Sequence, residues 1–346
     1  MERSAYFIRR LLLIVPTLLG ITLACFSLTQ FIPGGPVEQA IMRMRGLGAG
    51  EGAAPAQAGE TLAPEYRRQL EVHFGFDQPF HRRYVRWLVR DRLGLRMPSY
   101  RFPNRTAWEL IRSRLPVSLV FGFTGFLLSY LVCIPLGIAK ALRHGSRFDL
   151  VTSLWVLMGY ATPVIALGMV LKMLLTGGLD GSLDWFPVGG FVSDHFATLS
   201  WTGKVRDLAR HMFLPLICYV AGNFAVLTLL MKNSLMEQIG RDYVRTVLAR
   251  GATPRRAIWG HALRNALIPV ATGFGGILTI LFAGSILIEQ IFEIPGMGRL
   301  GLESIVGRDY PVFMAILALT SLFGLLGNVL SDLCYVLIDP RIRFNR

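Results

Sequence analysis

The amino-acid sequence predicts an all-α polytopic membrane protein of six transmembrane helices with a large loop after the first, and three observations predict it. Hydrophobic residues make up 53% of the 346-residue chain, beyond the share a water-soluble domain carries. They gather into runs long enough to cross a hydrocarbon core of about 30 Å at about 1.5 Å per residue. The basic residues that give a formal net charge of +14 stand between those runs. Arginine and lysine so placed set topology and meet the anionic headgroups of a lipid bilayer. The charge therefore does not point to nucleic acid as a partner, since even the arginine-rich 240–265 stretch has flanks that enter the membrane at once.

Phe7 to Ile32 is the first run. It is longer than the apolar core of a secretory signal, no small-x-small cleavage site follows it, and further spans come later. Residues 1–32 are thus a cytoplasmic N-terminus and a first helix, opened by Arg3, Arg9 and Arg10. Residues 33–114 form the loop, read as periplasmic, which starts with the helix-stopping turn Pro33-Gly34-Gly35-Pro36. Within it, Gly46 to Gly59 is rich in Gly and Ala and reads as loose. Glu65 to Leu93 is patterned as helix, with Tyr84, Trp87 and Leu88 on its apolar face. Residues 115–338 hold the remaining spans: Leu115 to Ala141, Leu150 to Leu175, Met212 to Leu230, Leu267 to Ile288 and Val312 to Ile338. Residues 339–346 are a tail.

Six spans put both termini on one side. Sixteen basic residues fall in one set of connections: Arg3, Arg9 and Arg10; Lys140, Arg143 and Arg147; seven within 231–266; and Arg341, Arg343 and Arg346. Five fall in the short loops opposite: Lys204, Arg206, Arg210, Arg299 and Arg308. The excess places both ends and the 231–266 connection in the cytoplasm.

That connection is the most informative part of the chain. Ile239, Tyr243 and Val247, with Val244 and Leu248 beside them, have the four-residue spacing that stacks side chains on one helix face. Gly251 suits the left-handed position after a helix end, Thr253 an N-cap, and Pro254 a first turn. The sequence thus spells helix, tight turn, helix, with Arg241, Arg245, Arg250, Arg255, Arg256 and Arg264 projecting. It is a cationic, partly apolar docking handle close to the bilayer.

Other polar residues near the spans have plainer readings. Lys172, Glu289 and Asp332 lie near span ends, where a long stem snorkels to the interface. In span five Thr272, Gly273, Gly275, Gly276, Thr279, Gly284 and Ser285 either allow close helix packing or line a path for a solute. Asn223 and Thr228, and Ser118, Thr124 and Ser129, have the same two readings. Cys25, Cys133, Cys218 and Cys334 sit in apolar runs and the six histidines are scattered, so no zinc or haem site is spelled. Neither a phosphate-binding loop nor a hydrolase or metalloprotease spelling occurs. Transport driven by ATP would need another chain to bind the nucleotide. The rival classes are a membrane-embedded enzyme, for which no nucleophile is paired with a base, and a stand-alone secondary transporter or channel.

Tyr243 to Pro269 resembles the cytoplasmic coupling motif, the EAA loop, of permease subunits in bacterial binding-protein-dependent ABC importers, above all the dipeptide and oligopeptide branch. Tyr243-Val244-Arg245-Thr246, Ala249-Arg250-Gly251 and His261-Ala262-Leu263-Arg264-Asn265-Ala266-Leu267-Ile268-Pro269 carry the likeness. The general spelling is departed from at Arg245, where an acidic residue would stand, at Val247, and in the distance from Gly251 to Pro269. The likeness extends over nearly the whole chain. It includes Tyr6 to Leu11, Glu289-Gln290-Ile291-Phe292, Pro295-Gly296-Met297-Gly298, Arg308-Asp309-Tyr310-Pro311 and Asp339-Pro340-Arg341. Gly145-Ser146-Arg147-Phe148-Asp149 and the large first loop resemble the subgroup for oligopeptides and microcin C-like peptide conjugates.

The resemblance implies a type I ABC importer permease fold in a bacterial inner membrane. It also implies four further chains: a second homologous permease, two ABC ATPase subunits and a periplasmic peptide-binding protein. This chain would bind no cofactor and have no catalytic or metal residue of its own, ATP and Mg residing on the ATPases. ATPase coupling falls to Tyr243, Val244, Arg245, Thr246, Ala249, Arg250, Gly251, His261, Arg264 and Asn265. A periplasmic gate or substrate path falls to Glu289, Phe292, Pro295, Gly296, Asn223 and Thr279. Nickel and glutathione importers share this architecture, and the coupling motif does not separate them from peptide importers.

Overall fold

The computed structural model describes residues 2–31, 77–102, 104–177 and 183–338, which form helices and connections without strands apart from two isolated bridges. The helices are α1 (Glu2–Phe31), α2 (Phe80–Val85, running into a π turn, Arg86–Arg90), α3 (Ala107–Leu142), α4 (Arg147–Ala161) and α5 (Val164–Leu175). They continue with α6 (Trp201–Ile239), α7 (Asp242–Ala249), α8 (Pro254–Ala257), a π turn (Ile258–Ala262) and α9 (Leu263–Ala271). After a 3-10 turn (Thr272–Gly275) come α10 (Gly276–Ala283), α11 (Ile286–Ile291), α12 (Met297–Val306) and α13 (Tyr310–Ile338). Among the described residues four helices are long and apolar enough to cross a membrane, or up to six if each of two bent pairs is one span.

The chain divides into two compact units. One comprises 1–14, 114–300 and 320–346. Its first core cluster packs Met231 and Leu235 of α6 against Val244, Ala257, Ala262, Ala266 and Val270. A second joins Phe121, Leu214, Cys218, Ile288, Phe292 and Ile294. Asp332 of α13 is not left to the interface: it pairs with Arg10 and accepts the Tyr6 hydroxyl at 3.3 Å. Leu150, Leu154 and Trp155 of α4 stay 60% exposed or more, as suits side chains whose solvent is lipid. The other unit comprises 15–113 and 301–319. There Tyr84, Trp87 and Leu88 share one cluster with Phe26, Met314 and Ala318, so the expected apolar face is a packing face. Buried Asp309 holds the turn before α3, accepting the Ser99 hydroxyl and the Tyr100 N–H at 3.0 Å.

Helix boundaries differ from those expected, with identifiable causes. The second span starts at Ala107, not Leu115, because Thr106 and Glu109 form a capping box: each side chain accepts the other's N–H, at 3.2 and 3.3 Å. The run from Leu150 to Leu175 is not one helix. It bends by 95° at Thr162-Pro163, where the residue before proline is driven to ψ 119° and the α-ladder stops. The fourth span is the longer α6, bent by 46° between Gly222 and Phe224, and Lys204, Arg206 and Arg210 lie on it and not in a loop. Span five is broken at Thr272–Gly275 and again at Gly284, whose φ is +67°. Pro33 to Pro36, Gly46 to Gly59, the start of the Glu65 to Leu93 stretch and the 339–346 tail lie outside the described residues.

Candidate functional site

The 231–266 connection is built without slack. α6 runs to Ile239, so Met231 to Ile239 is helix and the connection proper is short. α7 follows, with Asp242 in its first turn where the helix dipole favours an acid, and Tyr243 donates its hydroxyl to Gln238 Oε1 at 2.9 Å. Its end is a Schellman motif: the Gly251 N–H reaches Leu248 O at 2.9 Å and the Ala252 N–H reaches Val247 O at 3.3 Å. Gly251 has φ +86°, with no other heavy atom within 4 Å of where a Cβ would stand. Thr253 then caps α8, accepting the Arg256 N–H at 3.3 Å, and Pro254 opens it. All three turn residues occupy the positions their chemistry suggests.

The π turn after α8 sets which residues face inward. Ala257 and Ala262, five apart, would stand roughly 140° apart on an α-helix, yet both are fully buried, because the wider turn brings them to one side. With Ala266 they give α6 a flat, small surface to pack on, and the Ser234 hydroxyl donates to Ala266 O at 2.9 Å. The ten expected coupling residues therefore divide. Val244 is 3% exposed, and Tyr243 and Asn265 are half-buried, so these three position the element. Arg245, Thr246, Ala249, Arg250, Gly251, His261 and Arg264 face outward. Leu248, read from the sequence as part of the apolar stripe, is instead 39% exposed on that outward face, and sequence reasoning missed Trp259, 51% exposed beside it. A tryptophan beside Gly260 in an otherwise polar stretch was the available signal.

A buried charge cluster joins the C-terminal parts of α3 and α6 to the first turn of α4. Asp149, in the first turn of α4, accepts from Lys232 of α6 at 2.8 Å on each oxygen and lies 3.2 Å from Lys140 of α3. Lys140 is fully buried and also donates to Asp149 O, the Thr152 hydroxyl and the Ser153 hydroxyl at 2.7–3.0 Å. Both lysines had counted as topology-setting charges, but neither is a surface cation.

The expected gate residues come together, Glu289 within α11 and Phe292, Pro295 and Gly296 in the tight turn that joins it to α12. Glu289 is 1% exposed. It accepts the Ser285 N–H at 3.2 Å, the Ser118 hydroxyl at 3.1 Å and the Arg299 N–H at 2.8 Å, and Ser118 accepts the Met297 N–H at 2.7 Å. The carboxylate thus does a capping residue's work for α12. A Cβ at Gly284 or Gly296 would strike it, which is why glycine stands at both. Outside this niche, Lys172 does not snorkel: its ammonium donates to Ile291 O and Glu293 Oε1, both at 2.9 Å, and that hydrogen bond lowers the Glu293 pKa. Asn223 and Thr279 lie elsewhere, Asn223 at the bend of α6 and Thr279 on α10, where its hydroxyl packs close to Gly324 of α13. Gly275 meets Gly327 as closely, and the Gly275 N–H donates to the Ser331 hydroxyl at 3.0 Å, so Gly275 and Thr279 of span five serve helix packing, while Gly276 has open space where a Cβ would stand. Among the described residues no three His, Cys, Asp or Glu side chains gather as a metal site would.

A helical membrane protein whose broken spans are joined by a rigid, outward-facing helical handle is a transporter's membrane subunit in its architecture. The model of the family described as "binding-protein-dependent transport system inner membrane component" matches residues 133–344, and the chain belongs to that family. It is a multi-pass inner-membrane permease. It is 42% identical over 366 aligned positions, 99% of each chain, to the peptidoglycan transport system permease protein YejB of Agrobacterium fabrum. It is 35% identical to the dipeptide transport system permease protein DppB of Escherichia coli, again over 99% of each chain. To the oligopeptide transport system permease protein AppB of Bacillus subtilis it is 31% identical, over 99% of this chain and all of that one.

Proposed function

We propose that this chain is the permease of an ATP-driven importer for peptides or peptide conjugates, in which α7, the Gly251 turn and α8 dock on a partner ATPase. The observation that carries the reading is the seamless attachment of the handle. α7 follows α6 after a two-residue corner, and α8 continues through the π turn into α9, so a push on the handle reaches two spans without a flexible joint. The exposed arginines with Leu248 and Trp259 suit a cleft that is acidic at its rim and apolar within. ATP and Mg belong to two ATPase subunits, and a second homologous permease completes the path. A periplasmic binding protein supplies the solute, with both ends of this chain in the cytoplasm. ATP acts by favouring one of two packings, and the handle conveys that bias. Peptides are the solute class because the relatives' names give dipeptide, oligopeptide and peptidoglycan transport.

The test is purification of the tagged chain from its native membrane in mild detergent. The expected result is co-purification of nucleotide-hydrolysing chains and a second permease, with their loss in Arg245→Glu combined with Arg250→Glu. A chain that purifies alone and moves peptide into vesicles without ATP would overturn the reading.

A further inference from the structure

α2 and the π turn it runs into pack at a depth that a loop in water does not reach. The apolar span of α1 ends at Thr29. The Tyr84 hydroxyl donates to Leu19 O at 3.2 Å and lies 2.9 Å from the hydroxyl of buried Thr22. From Leu19 to Thr29 a helix rises about 15 Å, and from Phe26 to Thr29 about 4–5 Å, so both contacts fall inside the end of the span. Phe80, Tyr84 and Trp87 all set their rings against Phe26, with centroids 5.5, 5.5 and 6.0 Å away. Phe80 and Trp87 stand about 10 Å apart along their own helix, so a helix running beside α1 would bring them to different turns of it. Meeting one residue means that α2 lies across α1, level with its last turns, with the Tyr84 side chain pointing down the span.

The side turned away from Phe26 carries two stripes. Arg82, Arg86 and Arg90 recur at a four-residue spacing, which drifts by roughly 40° per step on an α-helix. The wider π turn over Arg86–Arg90 takes that drift back, so the three arginines share one line, and Val85 and Val89 form a second line beside it. Both valines are open, at 55% and 69% exposed, as are Arg82 and Arg90, with Arg86 half-buried. Asp91, near enough to Arg86 and Arg90 to feel their charge, offsets one of the three cations. Arg82 and Arg86 stand about 200° around the helix from Tyr84, so the arginines point away from the ring that reaches down the span and toward the membrane surface. Exposed valines level with acyl chains are in their natural solvent, and guanidinium groups a helix width nearer the surface meet lipid phosphates. A protein docking on this face would have to enter the bilayer to reach it. We propose that α2 and its π turn form an interfacial helix in the leaflet where α1 ends, with Val85 and Val89 among acyl chains and Arg82, Arg86 and Arg90 on the phosphates of anionic phospholipids. The proposal is independent of the solute the importer carries.

The experiment uses the full chain, in the assembly with which it purifies, in nanodiscs of phosphatidylcholine and phosphatidylglycerol. With Cys25→Ser and Cys334→Ser, and with Cys133 and Cys218 buried, a nitroxide attaches at Val89→Cys or, in a second variant, at Val85→Cys. Either label is expected to collide more with dissolved oxygen, which gathers among acyl chains, than with a water-soluble nickel chelate. More collisions with nickel would show a face in water, and few with either would show a face covered by protein; each would overturn the proposal. The lipid class is tested by energy transfer from tryptophan to acyl-labelled phosphatidylglycerol or phosphatidylcholine in neutral detergent. Wild type is expected to prefer the anionic lipid, Arg82→Gln and Arg90→Gln each to lose roughly fivefold of that preference, and Arg82→Lys to retain it. The lysine variant is the folding control, since it alters the same position and keeps the charge. An equal preference in wild type and the Arg82→Gln, Arg90→Gln double variant would overturn the assignment of lipid phosphates to these arginines.

Discussion

Asp149→Asn is expected to be the most damaging conservative substitution in the membrane part of the chain, and the charge count says why. The cluster holds two ammonium groups and one carboxylate, with Lys232 on both carboxylate oxygens at 2.8 Å and Lys140 at 3.2 Å. Asparagine preserves the shape and leaves two buried cations without a counter-ion. Removing one partner of a buried ion pair costs about 3–5 kcal/mol, and here two cations lose the same partner. Lys232→Met, by contrast, leaves Lys140 and Asp149 balanced one to one. Lys140 keeps its carbonyl and two hydroxyl acceptors, and Asp149 keeps the Gly145 N–H at 3.2 Å, so the cost is that of charged hydrogen bonds lost, about 1.5–3 kcal/mol. Adding Lys232→Met to Asp149→Asn should then recover part of the loss, since it removes one of the two stranded charges. The assay is the thermal midpoint of the detergent-solubilised protein by intrinsic fluorescence, compared across wild type, both single variants and the double. The expected order is wild type, Lys232→Met, the double variant, then Asp149→Asn. Asp149→Asn at or above Lys232→Met, or a double variant below both, would refute the account.

Gly251→Trp should leave the midpoint within a few degrees of wild type, because space is open around the glycine, yet abolish ATP-driven uptake. A left-handed residue with a side chain costs about 1–2 kcal/mol there and is expected to re-aim α7 against α8; normal uptake would count against the handle. Trp259→Ala should weaken retention of the ATPase chains during purification without moving the thermal midpoint, as its side chain is half exposed. Glu289→Ala strands two backbone N–H groups and the Ser118 hydroxyl in a buried niche, at about 1–3 kcal/mol for each group left unmet. Gly296→Ala should be destabilised comparably, because its Cβ would enter the space the carboxylate occupies. A Glu289→Ala midpoint equal to wild type would show that the carboxylate is not what holds the turn.

The handle was legible in the sequence because its determinants are local. Gly251, Thr253 and Pro254 each act within three or four residues of themselves, so the turn could be drawn before any packing was known. The breaks in the spans were less legible, although their causes were in view. Thr162-Pro163 sits inside an apolar run whose hydropathy masks the proline, and Thr106-Ala107-Trp108-Glu109 is a capping box masked by the arginines that follow it. What could not be read was any arrangement made by residues far apart in sequence. Lys140, Asp149 and Lys232 looked like ordinary loop charges, since their pairing depends on α6 packing beside α3 and α4. Glu289 looked like an acid at a span end, since its partners at Ser118 and Arg299 come from either side of it. Conversely, the register that buries both Ala257 and Ala262 comes from a π turn, which no 3.6-residue pattern contains.

These arrangements together say where the larger unit can yield. Its handle is pinned by small-residue packing and the Schellman turn, the ends of α3, α4 and α6 by the Lys–Asp–Lys cluster, and the α11–α12 turn by Glu289, Lys172 and the Gly190 N–H bonded to Phe292 O at 2.9 Å. Between these fixed points the helices are interrupted: at Thr162-Pro163, at Gly222 to Phe224, at Thr272–Gly275 and at Gly284. Each interruption already lacks part of the i to i−4 ladder, so a change of angle there breaks fewer hydrogen bonds than bending an intact helix would. If the handle couples to an ATPase as proposed, a force applied to it would pass along α6 and α9 and be relieved at the bend of α6 and at the 3-10 turn after α9. Closing the 3-10 interruption into regular helix, by Gly273→Ala with Gly276→Ala, should for that reason reduce ATP-driven uptake more than it changes stability. The structure also sets a constraint on how that is tested: Gly273 abuts the Tyr130 hydroxyl, so Tyr130→Phe must accompany the change. If the triple variant transports as Tyr130→Phe alone does, the interruption is a packing feature and the motion is taken up elsewhere.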